Sequence, residues 1–144
     1  MEIKVLDKSH ASMLYEVEKC CFSKPWTEAM FSGDLESENT IYLGAFSDGV
    51  MVGYAGAWLV AGDADITNVA VIPEKRGQGI AKKLLSELFS RLLENAGEIV
   101  RLEVRRSNEN AKGLYKKMGF SEIAVRKNYY ADPREDALIY EKNL

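Results

Sequence analysis

The 144-residue chain is poor in the residues from which metal sites, disulfide frameworks and catalytic triads are usually built. It contains one histidine, His10, and two cysteines, Cys20 and Cys21, which are neighbours in the sequence. Neighbouring cysteines are badly placed for a disulfide and lack the spacing of a metal motif. A single histidine with no serine elbow or cysteine motif gives no basis for a nucleophilic triad. The sequence therefore predicts no metal site, and it favours buried, small apolar roles for both cysteines on a helix.

Long apolar runs and an excess of positive charge are also missing. No stretch approaches the length of a membrane span and the N-terminus has no signal-peptide core, so a cytoplasmic protein without membrane contact is expected. The formal net charge is −3, which gives direct binding to nucleic acid no electrostatic support. The acidic residues contribute either to a face for a cationic substrate or to a solvated surface, and the solvated surface is favoured for most of them. The candidates for such a face are Glu16, Glu18, Asp34, Glu36 and Glu38.

The order of apolar patterns predicts one α/β domain over residues 1–144, with a mixed central sheet of about seven strands and about four flanking helices. Two turn signals, Ser47-Asp48-Gly49 and Ala61-Gly62-Asp63, join apolar runs into an antiparallel first half that ends at Ile72. A helix from about 78 to 95 follows, and Ile99 to Val104 reads as the next strand. A strand, a helix and a strand in this spacing imply a right-handed parallel crossover.

Local signals predict where the remaining elements begin and end. Small polar residues cap helices because their side chains accept bonds from the free backbone N–H groups of the first turn. The predicted caps are Ser9, Thr27 and either Ser107 or Asn108. Gly97 is predicted to stop the crossover helix. Phe120 to Asn128 and Ala137 to Lys142 are predicted as the last two strands, with Tyr129 to Asp136 as the connection between them.

The strongest chemical signal is the segment that joins the last antiparallel strand to the crossover helix. Gly77 and Gly79 allow the backbone to approach a ligand that any Cβ would push away. The free N–H groups at the start of the helix, with Arg76, Lys82 and Lys83 beside them, indicate an anion site. The segment has neither a nucleotide-binding phosphate loop nor the third glycine of a dinucleotide motif. We therefore predict a pyrophosphate site, the alternative being an ordinary turn with incidental glycines.

The turn matches R-x-x-G-x-A at Arg76, Gly79 and Ala81, directly after a strand that ends V-A-V-I-P. This pattern resembles the acetyl-CoA site of the GNAT family of N-acetyltransferases. The resemblance implies acetyl-CoA as cosubstrate, with its pyrophosphate on the turn and its pantetheine arm along the strand. The residues implied to bind it are Val69, Ala70, Val71, Arg76, Gly77, Gln78, Gly79, Ile80, Ala81 and Lys82.

Two residues further along the chain are candidates for proton transfer. Glu103 lies near the C-terminal end of the parallel strand, the end at which ligands bind in open α/β sheets. Tyr115 lies in the helix that follows, and a phenol is a suitable proton donor to a departing thiolate. The alternatives are an ion pair of Glu103 with Arg101 or Arg105, and a core position for Tyr115 on the apolar stripe of its helix.

Four further stretches resemble the RimI-type branch of the family, the bacterial ribosomal-protein alanine N-acetyltransferases. They are E-x-C-C-F-S-x-P-W at 18–26, L-E-V-R-x-S-N at 102–108, A-x-x-L-Y-x-x-x-G-F at 111–120 and R-x-N-Y-Y at 126–130. The resemblance implies that Glu103 is the general base, that Tyr115 protonates coenzyme A, and that Asn108 touches the cofactor. It also implies direct attack in a ternary complex, with the N-terminal alanine of a small-subunit ribosomal protein as acceptor.

Aromatic residues in loops are enriched at recognition surfaces, so Trp26, Tyr129 and Tyr130 are predicted to wall a peptide groove. The alternative, that such residues close the edge of the core, is equally favoured for Trp26. For the tyrosines recognition is favoured, because a turn at Asp132-Pro133 follows them directly.

The acceptor and even the activity have alternatives at this stage. One is acetylation of lysine side chains or small amines, and another is a non-catalytic acyl-CoA-binding module that regulates a partner. Proton arithmetic favours an α-amine, whose pKa of about 7.7–8.0 makes neutralisation at pH 7 cost roughly 1–1.4 kcal/mol. The same step costs about 4.6 kcal/mol for lysine.

Overall fold

The computed structural model describes residues 1–144 and has a seven-stranded sheet with four α-helices, as the sequence predicts. The strands are β1 Glu2–Val5, β2 Thr40–Ser47, β3 Val50–Val60, β4 Asp63–Val71, β5 Ile99–Arg105, β6 Ser121–Ala131 and β7 Arg134–Asn143. The helices are α1 Ala11–Cys21, α2 Glu28–Glu36, α3 Ile80–Glu94 and α4 Glu109–Lys117, and short 3-10 turns cover Lys8–His10 and Pro73–Lys75. None of the helices has the length and apolar character needed to span a bilayer.

The sheet has the order β1-β2-β3-β4-β5-β7-β6, and only its β4–β5 pair is parallel. The predicted antiparallel first half and parallel crossover through α3 are therefore confirmed. Pairing between β4 and β5 is restricted to Asp63–Asp65 against Ile99–Arg101. Beyond these residues the two strands pair only with their outer neighbours. The sheet is therefore split along its middle at the C-terminal ends of β4 and β5.

Helices cover both faces of the sheet and bury a separate apolar cluster on each. The cluster under α3 includes Leu84, Leu88 and Val100. The cluster under α1 and α2 includes Leu14 and Phe31. The periodic apolar stripes of α1 and α3 account for most of these contacts, since residues three or four apart lie on one face. The split between β4 and β5 thus opens between two packed layers.

Side-chain caps set several helix boundaries. Thr27 accepts a hydrogen bond from the N–H of Met30 at 3.2 Å, which confirms its predicted role. Asn108, rather than Ser107, caps α4 by accepting from Ala111. The prediction for Ser9 is wrong: the short turn before α1 is capped by Asp7, whose carboxylate accepts the N–H of Ser9 itself.

The end of α3 also differs from the prediction, because Ala96 and not Gly97 adopts the left-handed conformation, with a φ of 65°. The N–H of Gly97 donates to the carbonyl of Leu92 at 2.7 Å. A Cβ at Gly97 would lie 2.8 Å from that same carbonyl oxygen. Gly97 is therefore required for close approach of the backbone and not for a left-handed turn.

Ala96→Gly is expected to raise the free energy of unfolding by about 0.5–1 kcal/mol, because glycine adopts the left-handed conformation without strain. Gly97→Ala is expected to lower it by about 1–3 kcal/mol, because the added methyl forces the backbone apart. Equilibrium urea denaturation measures both. A loss of stability in Ala96→Gly would contradict this account of the helix end.

The two cysteines do not both have the predicted buried role. Cys20 is exposed, whereas Cys21 is half-buried with its Sγ donating to the carbonyl of Val71 at 3.4 Å. The apolar stripe of α1 continues from Leu14 and Val17 to Cys21, so its neighbour Cys20 faces solvent.

Candidate active site

The split between β4 and β5 opens into two adjoining cavities, of about 770 Å³ and about 700 Å³. The larger extends over the β5, β6 and β7 side and is called the acceptor cavity below. The smaller extends over the start of α3 and is called the cofactor cavity. Five residues line both: Phe22, Val69, Asn108, Ala111 and Tyr115. A ligand in each cavity would therefore meet the other at these residues.

The glycine turn forms one end of the cofactor cavity. Gly77 and Gly79 both have a φ of 78°, and a Cβ built on either would meet no atom within 4 Å. Gly79 directly precedes α3 and provides no side-chain cap. The first backbone bond of the helix runs from the N–H of Lys83 to the carbonyl of Gly79. The N–H groups of Ile80, Ala81 and Lys82 are thus open to a ligand. Open space above glycine and a free helix start fit an anion.

Positive charge is placed at the same end of the cofactor cavity. Arg76 and Lys82 line it, as does Lys75, which sequence reasoning missed. The Nε of Arg76 donates to the carbonyl of Val71 at 2.9 Å, which holds the guanidinium at the end of β4. Lys83 and Gln78, both predicted at this site, do not line the cavity.

The backbone of β4 forms the side wall of the cofactor cavity, with Val69, Ala70 and Val71 all lining it. Successive residues of a strand direct their backbone groups to opposite edges. The N–H of Ile72 bonds to the carbonyl of Val52 in β3. Val69 and Val71, which alternate with Ile72, therefore direct their N–H and C=O groups away from β3 and toward the split. Ala70 pairs with Tyr54 of β3. The N–H of Val69 is taken by Asn68 and the carbonyl of Val71 by Arg76, so the wall offers the Val69 carbonyl and the Val71 N–H to a ligand.

Glu103 lies on β5 and lines the acceptor cavity, with its side chain 31% exposed. Its cationic partner is Arg126 of β6, at 3.7 Å between Oε1 and Nε. Its neighbours are engaged elsewhere, since Arg101 pairs with Glu141 at 2.8 Å and Arg105 with Glu135 at 3.1 Å. The alternative of an ion pair with Arg101 or Arg105 is therefore wrong. The carboxylate remains open to a ligand.

Tyr115 stands where the two cavities meet. Its ring packs edge-on against Phe120 and Tyr140, with centroids 5.7 and 6.3 Å away. Burial, with a smaller contribution from Tyr130, raises the pKa of Tyr115 to about 12. Tyr115 thus packs against core aromatic rings and also lines both cavities, so the two predicted alternatives do not exclude each other. The phenol stays protonated throughout the neutral range.

Tyr129 and Tyr130 both line the acceptor cavity, although neighbours in a strand normally face opposite ways. The reason is a bulge in β6: its register with β7 slips between Arg126 and Tyr130, and Asn128 has a φ of 53°. The two rings contact each other at right angles, with their centroids 5.1 Å apart.

The prediction that 129–136 is a connection is wrong, because β6 and β7 form a hairpin whose turn is Asp132-Pro133.

Charged neighbours hold the tyrosine pair in place. The Arg105 guanidinium lies over the Tyr130 ring, 4.1 Å from its centroid. Tyr129 lies close enough to Glu103 for a hydrogen bond to that carboxylate to raise the pKa of its phenol. Burial, followed by the charge of Glu103, raises the pKa of Tyr130. Both phenols are therefore hydrogen-bond donors facing the cavity at neutral pH.

Trp26 lines the acceptor cavity from the loop between α1 and α2. Its ring packs on Phe31, with centroids 5.4 Å apart, so it also closes the edge of the core. Its backbone N–H donates to Oε2 of Glu18 at 3.0 Å. Trp26 therefore closes the core edge and also lines the cavity, and its role in peptide recognition stays a prediction.

Glu18 is the one charged residue that is buried, with 2% of its surface exposed. The prediction that it belongs to an acidic or solvated face is wrong. The signal that could have found it is the register of α1, since Glu18 lies one turn after Leu14 on the buried stripe. Asn68, which lines the acceptor cavity and bonds to Glu18, was also missed because nothing local marks it.

Three known proteins resemble this chain over most of its length. A Bacillus subtilis protein with a provisional name as a ribosomal protein bS18-alanine N-acetyltransferase is 44% identical over 88% of this chain and 84% of its own length. The N-alpha-acetyltransferase RimI of Mycobacterium tuberculosis is 35% identical over 94% of this chain and 87% of its own length. The crystal structure of the Escherichia coli ribosomal-protein-S18-alanine N-acetyltransferase superimposes with a TM-score of 0.92 at 32% identity, covering 99% of this chain and 92% of that one.

The sequence model of the acetyltransferase (GNAT) family matches residues 11–120, which include α1, the glycine turn, Glu103 and Tyr115. With these relatives, this match confirms the resemblance drawn from the glycine turn: the chain belongs to the GNAT family of acetyltransferases.

Proposed function

We propose that residues 1–144 form a single domain that transfers the acetyl group of acetyl-CoA to the N-terminal alanine of a small-subunit ribosomal protein, by direct attack in a ternary complex. The observation that carries the proposal is the meeting of the cofactor and acceptor cavities at Tyr115, with Glu103 in the acceptor cavity. The names of the relatives, which specify ribosomal protein bS18 or S18 and its alanine, supply the acceptor.

The cofactor cavity fits the diphosphate and the amide-bearing arm of coenzyme A. The glycine turn would hold the phosphates through the free N–H groups of α3, with Arg76, Lys75 and Lys82 neutralising their charge. The backbone of Val69 and Val71 would pair with the arm as a neighbouring strand does. The bound cosubstrate supplies an activated thioester, so no covalent enzyme intermediate is needed.

Glu103 acts as the general base for the acceptor amine, directly or through water. The amine must lose a proton to attack, and the Glu103 carboxylate is the acidic group of the acceptor cavity nearest the tyrosine pair. An α-amine is a weak enough base for one carboxylate to meet this demand. Trp26, Tyr129 and Tyr130 would hold the peptide around the amine.

Tyr115 donates the proton that the departing thiolate of coenzyme A takes up. Its position between the cavities places it beside both substrates, and a pKa of about 12 keeps it in the acid form. Asn108, which also lines both cavities, keeps the start of α4 at this junction by capping it.

Tyr115→Phe is expected to lower kcat about tenfold to a hundredfold while coenzyme A affinity changes less than about twofold, because only the proton donor is removed. The ring contacts with Phe120 and Tyr140 are kept in this variant. Single-turnover kinetics with a peptide substrate and calorimetric titration with coenzyme A measure the two quantities. An unchanged kcat would leave Tyr115 as a packing residue.

The function is tested with isotope-labelled acetyl-CoA and a panel of peptides. The panel holds an alanyl peptide, the same peptide with a blocked N-terminus and an internal lysine, and a set of small amines. We expect label only on the free N-terminal alanine. Label on lysine or a small amine would overturn the proposed acceptor, and tight binding of coenzyme A with no transfer would assign a regulatory binding module instead.

A further inference from the structure

Glu18 accepts hydrogen bonds from three different parts of the fold. Tyr54 of β3 donates its hydroxyl to Oε1 at 2.5 Å, and the Asn68 amide of β4 donates to the same oxygen at 3.2 Å. The N–H of Trp26, in the loop after α1, donates to Oε2 at 3.0 Å. One carboxylate on α1 therefore joins the loop to the two central strands.

All three partners are neutral donors, and Glu18 forms no ion pair with a cation. A buried charge is costly unless hydrogen bonds replace its hydration, and here both oxygens are supplied. Burial and, to a smaller extent, the hydrogen bond to Glu18 raise the pKa of the Tyr54 hydroxyl. An apolar residue would fill this place at lower cost to stability, so the carboxylate is suited to fixing geometry rather than to adding stability.

Two of the groups that Glu18 holds, Trp26 and Asn68, line the acceptor cavity. Trp26 walls it from the loop, and its ring is held on the other side by Phe31. Asn68 walls it from β4 and accepts the N–H of Val69 with its Oδ1 at 3.0 Å. The bonds to Glu18 and to the Tyr54 hydroxyl, at 2.9 Å, fix which end of the Asn68 amide faces Val69. The position of Trp26 relative to Asn68 thus depends on one buried side chain that does not line the cavity.

We propose that Glu18 is a positioning residue that holds Trp26 and Asn68 in place along the acceptor cavity and so sets the fit of the acceptor N-terminus. This inference rests on the proposed function. It assigns to Glu18 an effect on the peptide that is separate from the pyrophosphate end of coenzyme A, since none of its partners belongs to the glycine turn. Its one link to the cofactor cavity is Asn68, which accepts the N–H of Val69.

Glu18→Gln keeps the size of the side chain but replaces one carboxylate oxygen by an NH₂ group. In either orientation of the amide, this NH₂ group faces another donor, which is the N–H of Trp26 or the amide of Asn68. The KM for the alanyl peptide is expected to rise about tenfold or more, because Trp26 or Asn68 moves. The dissociation constant of coenzyme A is expected to stay within about twofold, since the charge-assisted bonds at the glycine turn are untouched. Glu18→Asp, which keeps the charge but shortens the reach, is expected to give an intermediate KM.

The matched control is Glu16→Gln, which removes an exposed acid of the same helix that pairs with Lys19 at 2.9 Å. It is expected to leave both constants unchanged. A peptide KM equal to wild type in folded Glu18→Gln, or loss of folding in both Glu18 variants, overturns the inference by leaving Glu18 a purely structural role. Failure of the proposed function is distinguishable, because the wild-type protein would then not acetylate the alanyl peptide at all.

Discussion

Replacing Glu103 by glutamine is expected to lower kcat about a hundredfold or more at pH 7, because the acceptor amine loses its general base. Glutamine preserves the size of the side chain, so the walls formed by Arg126 and Tyr129 stay in place. Initial rates with saturating acetyl-CoA and a varied alanyl peptide measure the loss. Coenzyme A affinity serves as the control for folding, since Glu103 does not line the cofactor cavity.

The pH profile separates loss of the base from a change of shape. An α-amine with a pKa of about 7.7–8.0 gains neutral form roughly sixfold to tenfold between pH 7 and pH 9. The rate of Glu103→Gln is expected to rise by that factor, because less base is needed when more of the amine is already neutral. Tyr115, with its pKa raised to about 12, stays a proton donor over this range. Full activity of the variant at pH 7 would remove Glu103 from the mechanism.

Placing a methyl group on the glycine turn is expected to have the second large effect. Gly79→Ala should weaken coenzyme A binding about tenfold to a hundredfold, because the Cβ enters the space left for phosphate and disturbs one or two charge-assisted bonds. Nothing in the protein lies within 4 Å of that Cβ, so the loss comes from the ligand and from backbone strain. Calorimetric titration with coenzyme A measures it.

Backbone strain is controlled by Gly49→Ala in the β2–β3 turn. Gly49 has a φ of 80°, close to the 78° of Gly79, and it also has no neighbour within 4 Å of an added Cβ. Both variants should lose about 1–2 kcal/mol of stability from the left-handed conformation. Only Gly79→Ala should lose coenzyme A affinity. Equal affinity in the two variants would mean that the turn holds no phosphate.

The parts of the fold that the sequence predicted well are those with local causes. The hairpin at Asp48-Gly49 and the stripe of α3 each follow from a short pattern that a few residues complete. The glycine turn is equally local, because its two positive φ angles need glycine at two positions in one loop. These features require no knowledge of what packs against them.

The missed features depend on contacts between distant parts of the chain. Glu18 is buried because Tyr54 and Asn68, far along the sequence, supply its hydrogen bonds. A bulge in β6 directs both Tyr129 and Tyr130 toward the acceptor cavity. It depends on Asp136 across the hairpin, whose carboxylate accepts the N–H of Asn128 at 2.9 Å. Such pairings are set by tertiary packing, which overrides local preference.

The order of Glu103 and Tyr115 in the chain predicted their common location but not their surroundings. The rule that ligands bind at the C-terminal ends of parallel strands brought Glu103 to the split. Its pairing with Arg126 instead of Arg101 or Arg105 follows from the place of β6 at the edge of the sheet, which no local pattern encodes.

The division of the site into two cavities that meet at Tyr115 is tested most directly by amide chemical shifts in two successive titrations. Coenzyme A is predicted to shift the amides of Gly77 through Lys82 together with that of Tyr115. An alanyl peptide added afterwards is predicted to shift Trp26, Tyr129 and Tyr130, and again Tyr115. Amides at the glycine turn that stay unmoved in saturating coenzyme A would contradict the cofactor site and, with it, the mechanism.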